Sequence, residues 1–60
     1  MNRVQVYRFW VTDPEETEII LAPHAATAAA IARIERARPI SATVQEVEET
    51  RIDGDGFLVA

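Results

Sequence analysis

One short run near the start of the chain, Arg3 to Thr12, carries apolar side chains on both of its alternating faces. A β-strand points successive side chains to opposite sides, so a strand that is apolar on both faces needs cover on both. We therefore predict that this run is the central strand of a very small sheet. Its faces carry Val4, Val6 and Trp10 on one side and Tyr7, Phe9 and Val11 on the other.

The first strand is predicted to end at a turn formed by Asp13-Pro14-Glu15-Glu16. Asp at the first position and Pro at the second suit a type I turn, and Pro14 cannot adopt the positive φ of a two-residue hairpin turn. A four-residue hairpin loop is therefore expected. Thr17 to Ala22 then returns as an antiparallel second strand.

The pairing of these two strands is predicted from the loop. If Thr12 faces Thr17, aromatic side chains meet β-branched ones on both faces, and such cross-strand pairs are favourable. A register shifted by one residue is the alternative. The predicted pairs are Trp10 with Ile19 and Phe9 with Ile20.

A helix is predicted from Thr27 or Ala28 to about Ala37. Thr27 is the residue of this region whose side chain caps a helix well, and Pro39 is expected to end the helix. Arginines in the last turn complement the helix dipole. The apolar stripe that faces the sheet is formed by Ala30, Ile31, Ile34 and Ala37.

The last third of the chain is predicted as strand and turn. Ile40 to Val47 alternates loosely enough for a third strand, and Glu48 to Asp53 either continues it or forms one helical turn. Residues 53–56, with two glycines, form a turn. The tail of residues 57–59 either pairs as a short fourth strand or packs as a hydrophobic plug against the core.

These pieces predict one small α+β domain, residues 1–60, with the order β-β-α-β. A right-handed crossover through the helix places the third strand beyond the first. The expected sheet has three antiparallel strands in the order 2-1-3, with the helix on one face. The other face then exposes one or the other of the two apolar sets of the first strand, and such patches usually mark an interface.

Reactive side chains do not form a recognisable active site. The chain has no Cys and one histidine, His24, which is able to act as a base or to bind an anion but lacks a visible nucleophile or orienting carboxylate. The glycine-rich turn resembles part of a calcium loop, yet its first ligand position is Arg51 and its twelfth lies beyond Ala60. We predict no catalytic residue, no cofactor and no metal, and hence not an enzyme.

The charge pattern suggests an alternative function. The net charge is −4, with acids gathered at Asp13 to Glu18 and at Glu46 to Asp55. A dense acidic surface is able to mimic nucleic acid and occupy a basic groove, so the alternative is an acidic inhibitor or regulator of a nucleic-acid-binding protein. The simpler interpretation is that these acids keep a small sheet soluble. Nucleic-acid binding by Arg33, Arg36 and Arg38 with an aromatic platform is disfavoured by the overall acidity.

The expected environment follows from what the sequence lacks. No segment approaches the roughly 18 to 20 apolar residues of a membrane span, and a strand pattern rather than a signal-peptide core follows Met1. We expect a cytoplasmic protein without membrane contact. The use of arginine without lysine and the ten alanines favour a bacterial source with GC-rich coding sequence.

The function predicted from these features is binding. A chain of 60 residues without disulfides is marginally stable alone and often gains stability by oligomerising. We expect a homodimer first and a larger protein partner second. Aromatic residues supply much of the energy of interfaces, so the candidate contact residues are Tyr7, Phe9 and Trp10 together with Val4 and Val6.

Overall fold

The computed structural model describes residues 2–13, 15 and 18–59. Within them the chain forms a small α+β fold of two three-stranded antiparallel sheets and one α-helix. Two short 3₁₀ turns lie at Ser41–Thr43 and Glu49–Arg51. The strands and the helix are, in chain order, β1 Arg3–Tyr7, β2 Phe9–Thr12, β3 Ile19–Leu21, β4 Ala26–Thr27, α1 Ala28–Arg33, β5 Ala37–Pro39 and β6 Gln45–Glu48.

The apolar run that opens the sequence supplies the middle strand of both sheets. In the first sheet β1 lies between β4 and β6, and in the second sheet β2 lies between β3 and β5. The predicted central position of the run and the antiparallel pairing are confirmed. The predicted single sheet in the order 2-1-3 is corrected to two sheets, which divide at Arg8.

The division at Arg8 arises because the pairing changes register there on both sides. If the register of β1 with β6 continued, residue 42 would lie opposite Phe9, but Pro39 lies there, a shift of three residues. If the register of β1 with β4 continued, residue 23 would lie opposite Trp10, but Leu21 lies there, a shift of two. Extra residues on both flanks interrupt the ladder at the same point, as in a β-bulge.

Hydrogen bonds from the 3₁₀ turn hold the interrupted backbone at Arg8. The Arg8 N–H donates to Thr43 Oγ1 at 2.9 Å, and the Arg8 carbonyl accepts from the Ile40 N–H at 2.9 Å. The Thr43 hydroxyl in turn donates to the Ile40 carbonyl at 2.6 Å. The third strand predicted for residues 40–47 is therefore corrected to β5 and β6 with this turn between them.

The helix begins as predicted and ends earlier. The Thr27 side chain caps α1 by accepting a hydrogen bond from the Ala30 N–H at 3.2 Å. The helix ends at Arg33 rather than at about Ala37, because the capping residue Ile34 is already extended, with φ −88° and ψ 123°. The turn that follows, with Arg36 at φ 64°, leads into β5. Pro39 lies in β5 and does not terminate the helix.

The register of β2 with β3 differs from the predicted one by two residues. Trp10 lies opposite Leu21 rather than Ile19. The Asp13 N–H donates to the Glu18 carbonyl at 2.8 Å, so the hairpin closes one residue further along each strand than predicted. A shift of two keeps every side chain on its face. The predicted pairing partner Thr17 and parts of the predicted turn, Pro14 and Glu16, lie outside the described residues.

Two small apolar clusters form the core, one on each side of the sheets. The helix covers the first, which contains the fully buried Ala26 and Ile31. The C-terminal segment covers the second, where Ile52 and Leu58 pack against Val6. The face opposite the helix, predicted to stay open, is thus closed along β1. The first cluster consists of Phe9, Ala22, Ala26, Ala30 and Ile31, and the second of Val6, Ala25 and Val47.

The C-terminal segment folds back as a narrow hairpin. Residues 48–53 are predicted either to continue the third strand or to form one helical turn. The structure shows a helical turn there, the 3₁₀ turn Glu49–Arg51. The turn predicted at residues 53–56 is present, with Gly56 at φ 92°. Instead of a fourth strand, the tail makes isolated bridges, and Phe57 packs against the helix-side cluster.

Candidate interaction surface

Large apolar side chains are exposed at one end of the second sheet. Among the described residues, six large hydrophobic side chains are exposed, and four of them lie on the adjacent strands β2 and β3. The other two, Val44 and Val59, lie elsewhere. We call the four neighbouring residues the β2–β3 patch; their exposed fractions are 43% for Trp10, 67% for Ile19, 50% for Ile20 and 41% for Leu21.

The β2–β3 patch has side chains on both faces of the sheet, at the edge formed by β3. Trp10 lies directly opposite Leu21, and Ile19 lies opposite the next outward residue of β2, Thr12, so three apolar side chains share the face away from the helix. Ile20 lies on the helix side, opposite Val11. Because β3 is an outer strand of its sheet, the described part of the chain leaves its free edge unpaired as well as its side chains exposed.

Two arginines border the patch on the far side of Trp10. Arg38 of β5 lies opposite Trp10, and the Arg36 carbonyl accepts a hydrogen bond from the Thr12 N–H at 3.1 Å. A depression of about 500 Å³ lies on this face, lined by Trp10, Thr12, Ile19, Arg36 and Arg38. The face therefore changes from aliphatic at β3 through aromatic at β2 to cationic at β5.

The structure separates the five contact residues predicted from the sequence. Val6 and Phe9 are buried, with exposed fractions of 0% and 2%, so their side chains offer no area to a partner. Val4 and Tyr7 are half-buried and pack against the two core clusters. Trp10 alone of the five is exposed. The helix and the C-terminal segment cover the others.

Sequence reasoning did not select the aliphatic residues of β3 as contact residues. The predicted register pairs Ile19 with Trp10 and Ile20 with Phe9, one pair on each face, and gives Leu21 no contact role. A signal was nevertheless present, since three consecutive large aliphatic residues show no polar alternation, and a strand with one solvated face normally alternates. Their exposure follows from the place of β3 at the edge, which tertiary structure decides.

The residues considered for chemistry have structural or solvent-exposed positions. His24 is exposed in the segment between β3 and β4. Asp53 Oδ1 accepts the N–H groups of Asp55 and Phe57, both at 2.9 Å, so this carboxylate organises the C-terminal turn. Among the described residues, no three His, Cys, Asp or Glu side chains are grouped so that they would hold a metal ion.

The charged residues do not form one continuous surface. Glu46 and Glu48 project from β6, and Arg3 of β1 lies directly opposite Glu48. Of the three arginines considered for nucleic-acid binding, Arg36 and Arg38 border Trp10, whereas Arg33 lies on the helix, which covers the opposite side. Among the described residues, the three arginines therefore do not share one face, and the acids of β6 have a basic neighbour in Arg3.

Comparisons with known proteins give no basis for assigning a family or a function to the chain. No protein-family model matches the chain, and neither a curated protein nor a solved structure does. In the described part of the chain, every helix is too short or too polar to cross a bilayer. Function therefore has to be argued from the surface itself.

Proposed function

We propose that the protein is a small binding module whose first partner is a second copy of itself, and that the β2–β3 patch is the contact surface. The observation that supports this proposal is the clustering of four of the six exposed large hydrophobic residues on two adjacent strands. Single exposed hydrophobics are ordinary, whereas contiguous ones mark interaction sites. As the sequence predicts, this function is binding rather than catalysis.

The small core supplies a thermodynamic reason for association. The two buried clusters hold eight residues, and four of these are alanines. Each buried alanine contributes little apolar area, so the core stabilises the monomer weakly. Covering apolar side chains of the β2–β3 patch removes further apolar area from water, and a dimer gains stability by mass action that the monomer lacks.

The size of the patch predicts a weak dimer. One aromatic and three aliphatic side chains give an interface at the small end of specific interfaces, on the order of 1,200 Å² or less. We expect a dissociation constant of about 1 μM or weaker, so that association is reversible at moderate concentration. A surface of this size also suits a larger protein partner, the second occupant predicted from the sequence.

The proposal is tested by measuring mass against concentration. Light scattering from about 1 μM to about 1 mM spans the expected dissociation constant, and Trp10 emission is recorded in the same samples. We expect the mass to double with concentration, and the Trp10 emission reports how far that side chain is covered in the dimer. Sedimentation equilibrium gives the dissociation constant.

Two matched variants locate the interface. Leu21→Lys places a charge within the β2–β3 patch, and Val44→Lys makes the same change at a residue that is 47% exposed outside it. We expect Leu21→Lys to stay monomeric and Val44→Lys to associate like the native protein. If the native chain stays monomeric at every concentration, self-association is contradicted, and a different protein is then the expected partner of the patch. Equal weakening by both variants places the interface elsewhere.

A further inference from the structure

We infer that the dimer forms by antiparallel pairing of β3 with β3 of the second copy, with Ile20 on the two-fold axis. This inference rests on the proposed self-association and specifies its geometry. The second sheet of one copy, with the order β3-β2-β5, would join the same sheet of the other copy into one sheet of six strands. The register follows from the backbone groups of β3 that are already hydrogen-bonded to β2.

The hydrogen-bonding pattern of β2 with β3 fixes the free groups. The Ala22 N–H donates to the Phe9 carbonyl at 2.9 Å, and the Asp13 N–H donates to the Glu18 carbonyl at 2.8 Å. Hydrogen-bonded pairs alternate along an antiparallel ladder, so Ile20 between them directs its N–H and carbonyl toward β2. The N–H and carbonyl groups of the two flanking residues, Ile19 and Leu21, therefore point away from the sheet.

These outward groups match a second copy of the same strand. In a two-fold antiparallel pair, Ile19 lies opposite Leu21 of the second copy and exchanges both N–H to carbonyl hydrogen bonds with it. Symmetry repeats the pair, giving four hydrogen bonds. Ile20 then lies opposite Ile20 of the second copy in the closer, non-hydrogen-bonded position. Every outward backbone group of β3 finds a partner in this one register.

Other strand edges of the fold are protected against such pairing. The outward positions of β5 are Ala37 and Pro39, and Pro39 has no N–H to donate. The outer edge of β4 is occupied by the C-terminal segment, where the Leu58 N–H donates to the Ala25 carbonyl at 2.8 Å. β6 carries Glu46 and Glu48, and charges of this kind protect edges. β3 has neither a charge nor a proline.

The side chains and charges also fit a second copy. On the face away from the helix, the Ile19 and Leu21 side chains of both copies form a continuous aliphatic strip with Trp10 at each end. Arg36 and Arg38 lie on β5 or beside it, and the two copies of β5 are five strand spacings apart, roughly 24 Å. Like charges are thus kept apart, whereas a face-to-face dimer would press the arginines toward an apolar surface.

A single cysteine at the two-fold axis tests the register. The native chain has no cysteine, so Ile20→Cys introduces the sole thiol. The two Cα atoms of a non-hydrogen-bonded pair are about 4.5 Å apart, within the range that a disulfide spans. With oxidised glutathione as the electron acceptor, two thiols give up their protons and form one disulfide while two glutathione thiols are released. Val44→Cys is the matched exposed control.

We expect the Ile20→Cys chain to form a covalent dimer at least about tenfold faster than Val44→Cys, because pairing raises the effective thiol concentration. The reaction is followed by electrophoresis without reductant. If native chains dimerise by light scattering but the two cysteine variants oxidise at equal rates, the register is overturned and self-association stands. A native chain that never dimerises overturns both.

A proline variant tests the hydrogen bonds independently. Ile19→Pro removes an outward N–H that β2 does not use, so the folded monomer is retained, as its circular dichroism and thermal melting would show. We expect association at least about tenfold weaker than that of Ile19→Val, which keeps the N–H. A folded Ile19→Pro chain that dimerises as tightly as Ile19→Val contradicts strand pairing.

Discussion

At the scale of single residues, Gly56 is the position that tolerates least change. Its φ is 92°, a conformation that side chains rarely adopt, and a Cβ placed there would lie 2.7 Å from the Ala30 Cβ. The same Cβ would lie 3.0 Å from Thr27 Oγ1, the atom that caps the helix. One glycine thus lets the C-terminal turn approach the first turn of α1.

Gly56→Ala is therefore expected to lower the free energy of unfolding by about 2–4 kcal/mol, from backbone strain and overpacking together. A domain of this length has a total stability of roughly 3–9 kcal/mol, so the variant would lose a large share of its stability. Urea denaturation followed by circular dichroism measures the change.

Gly54→Ala provides the matched control for this prediction. Nothing lies within 4 Å of a Cβ at Gly54. We expect its unfolding free energy to be unchanged or raised by up to about 1 kcal/mol, through reduced freedom of the unfolded chain. Equal losses from the two variants would show that the turn as a whole, and not its contact with α1, sets stability.

At the scale of elements, the 3₁₀ turn at Ser41–Thr43 fixes the position at which the N-terminal apolar run divides into β1 and β2. Its Thr43 hydroxyl satisfies the Arg8 N–H at the break between β1 and β2. Thr43→Val keeps the shape of the side chain and removes the acceptor, which leaves a half-buried N–H unpaired. We expect a loss of about 1–3 kcal/mol in unfolding free energy and faster hydrogen exchange at the Arg8 amide.

Thr43→Ser retains the hydroxyl and is the control for that variant. We expect it to keep the slow exchange of the Arg8 amide and to lose about 1 kcal/mol or less, from the missing methyl group. If Thr43→Val leaves exchange at Arg8 unchanged, other bonds hold the break, and the hydrogen bond from Ile40 is the next to examine.

How far the sequence predicts these elements depends on how local their signals are. The helix cap at Thr27, the turn at residues 53–56 and the central apolar run all follow from neighbouring residues, and all were predicted. The helix end does not follow from such a signal, because Ile34 leaves the helical conformation where the apolar spacing continues and no glycine or proline marks the position. The break at Arg8 depends on Thr43, 35 residues away, and no local pattern shows it.

The candidate surface was predictable in part for the same reason. The sequence names Trp10 as a candidate contact residue but leaves open which face of the first strand is exposed, and in the structure Trp10 is 43% exposed. Periodicity indicates that Ile19, Ile20 and Leu21 form a strand, but not that the strand lies at an edge. Which neighbour a strand lacks is a property of the assembled sheet, so the larger part of the β2–β3 patch emerged from the structure.

At the scale of the whole molecule, shape and charge determine how association responds to its surroundings. The described residues extend 42 × 23 × 19 Å with a radius of gyration of 11.7 Å, above the value of about 10 Å for a compact chain of this length. An elongated small protein buries little of its surface. A second copy bound at one end would increase the buried fraction of the chain's surface more than any single substitution would.

The net charge of −4 makes salt a test of what holds the dimer together. Two copies with the same charge repel each other, and this repulsion falls as the Debye length shrinks from about 30 Å at 0.01 M salt to about 3 Å at 1 M. An apolar interface with hydrogen-bonded strands contributes no opposing ion pairs. We therefore expect the dimer dissociation constant, measured by sedimentation equilibrium, to fall several-fold over this range.

The opposite dependence on salt would identify a different kind of surface. If the protein acts through its acidic residues, as an inhibitor that mimics nucleic acid, capture of a basic partner weakens as salt rises, and charge reversal at Glu46, Glu48 and Glu49 abolishes it. The Leu21→Lys chain, measured in parallel, shows what salt does without the β2–β3 patch. A native dimer that dissociates at high salt would place ion pairs, rather than Trp10 and the aliphatic edge of β3, at the centre of the contact.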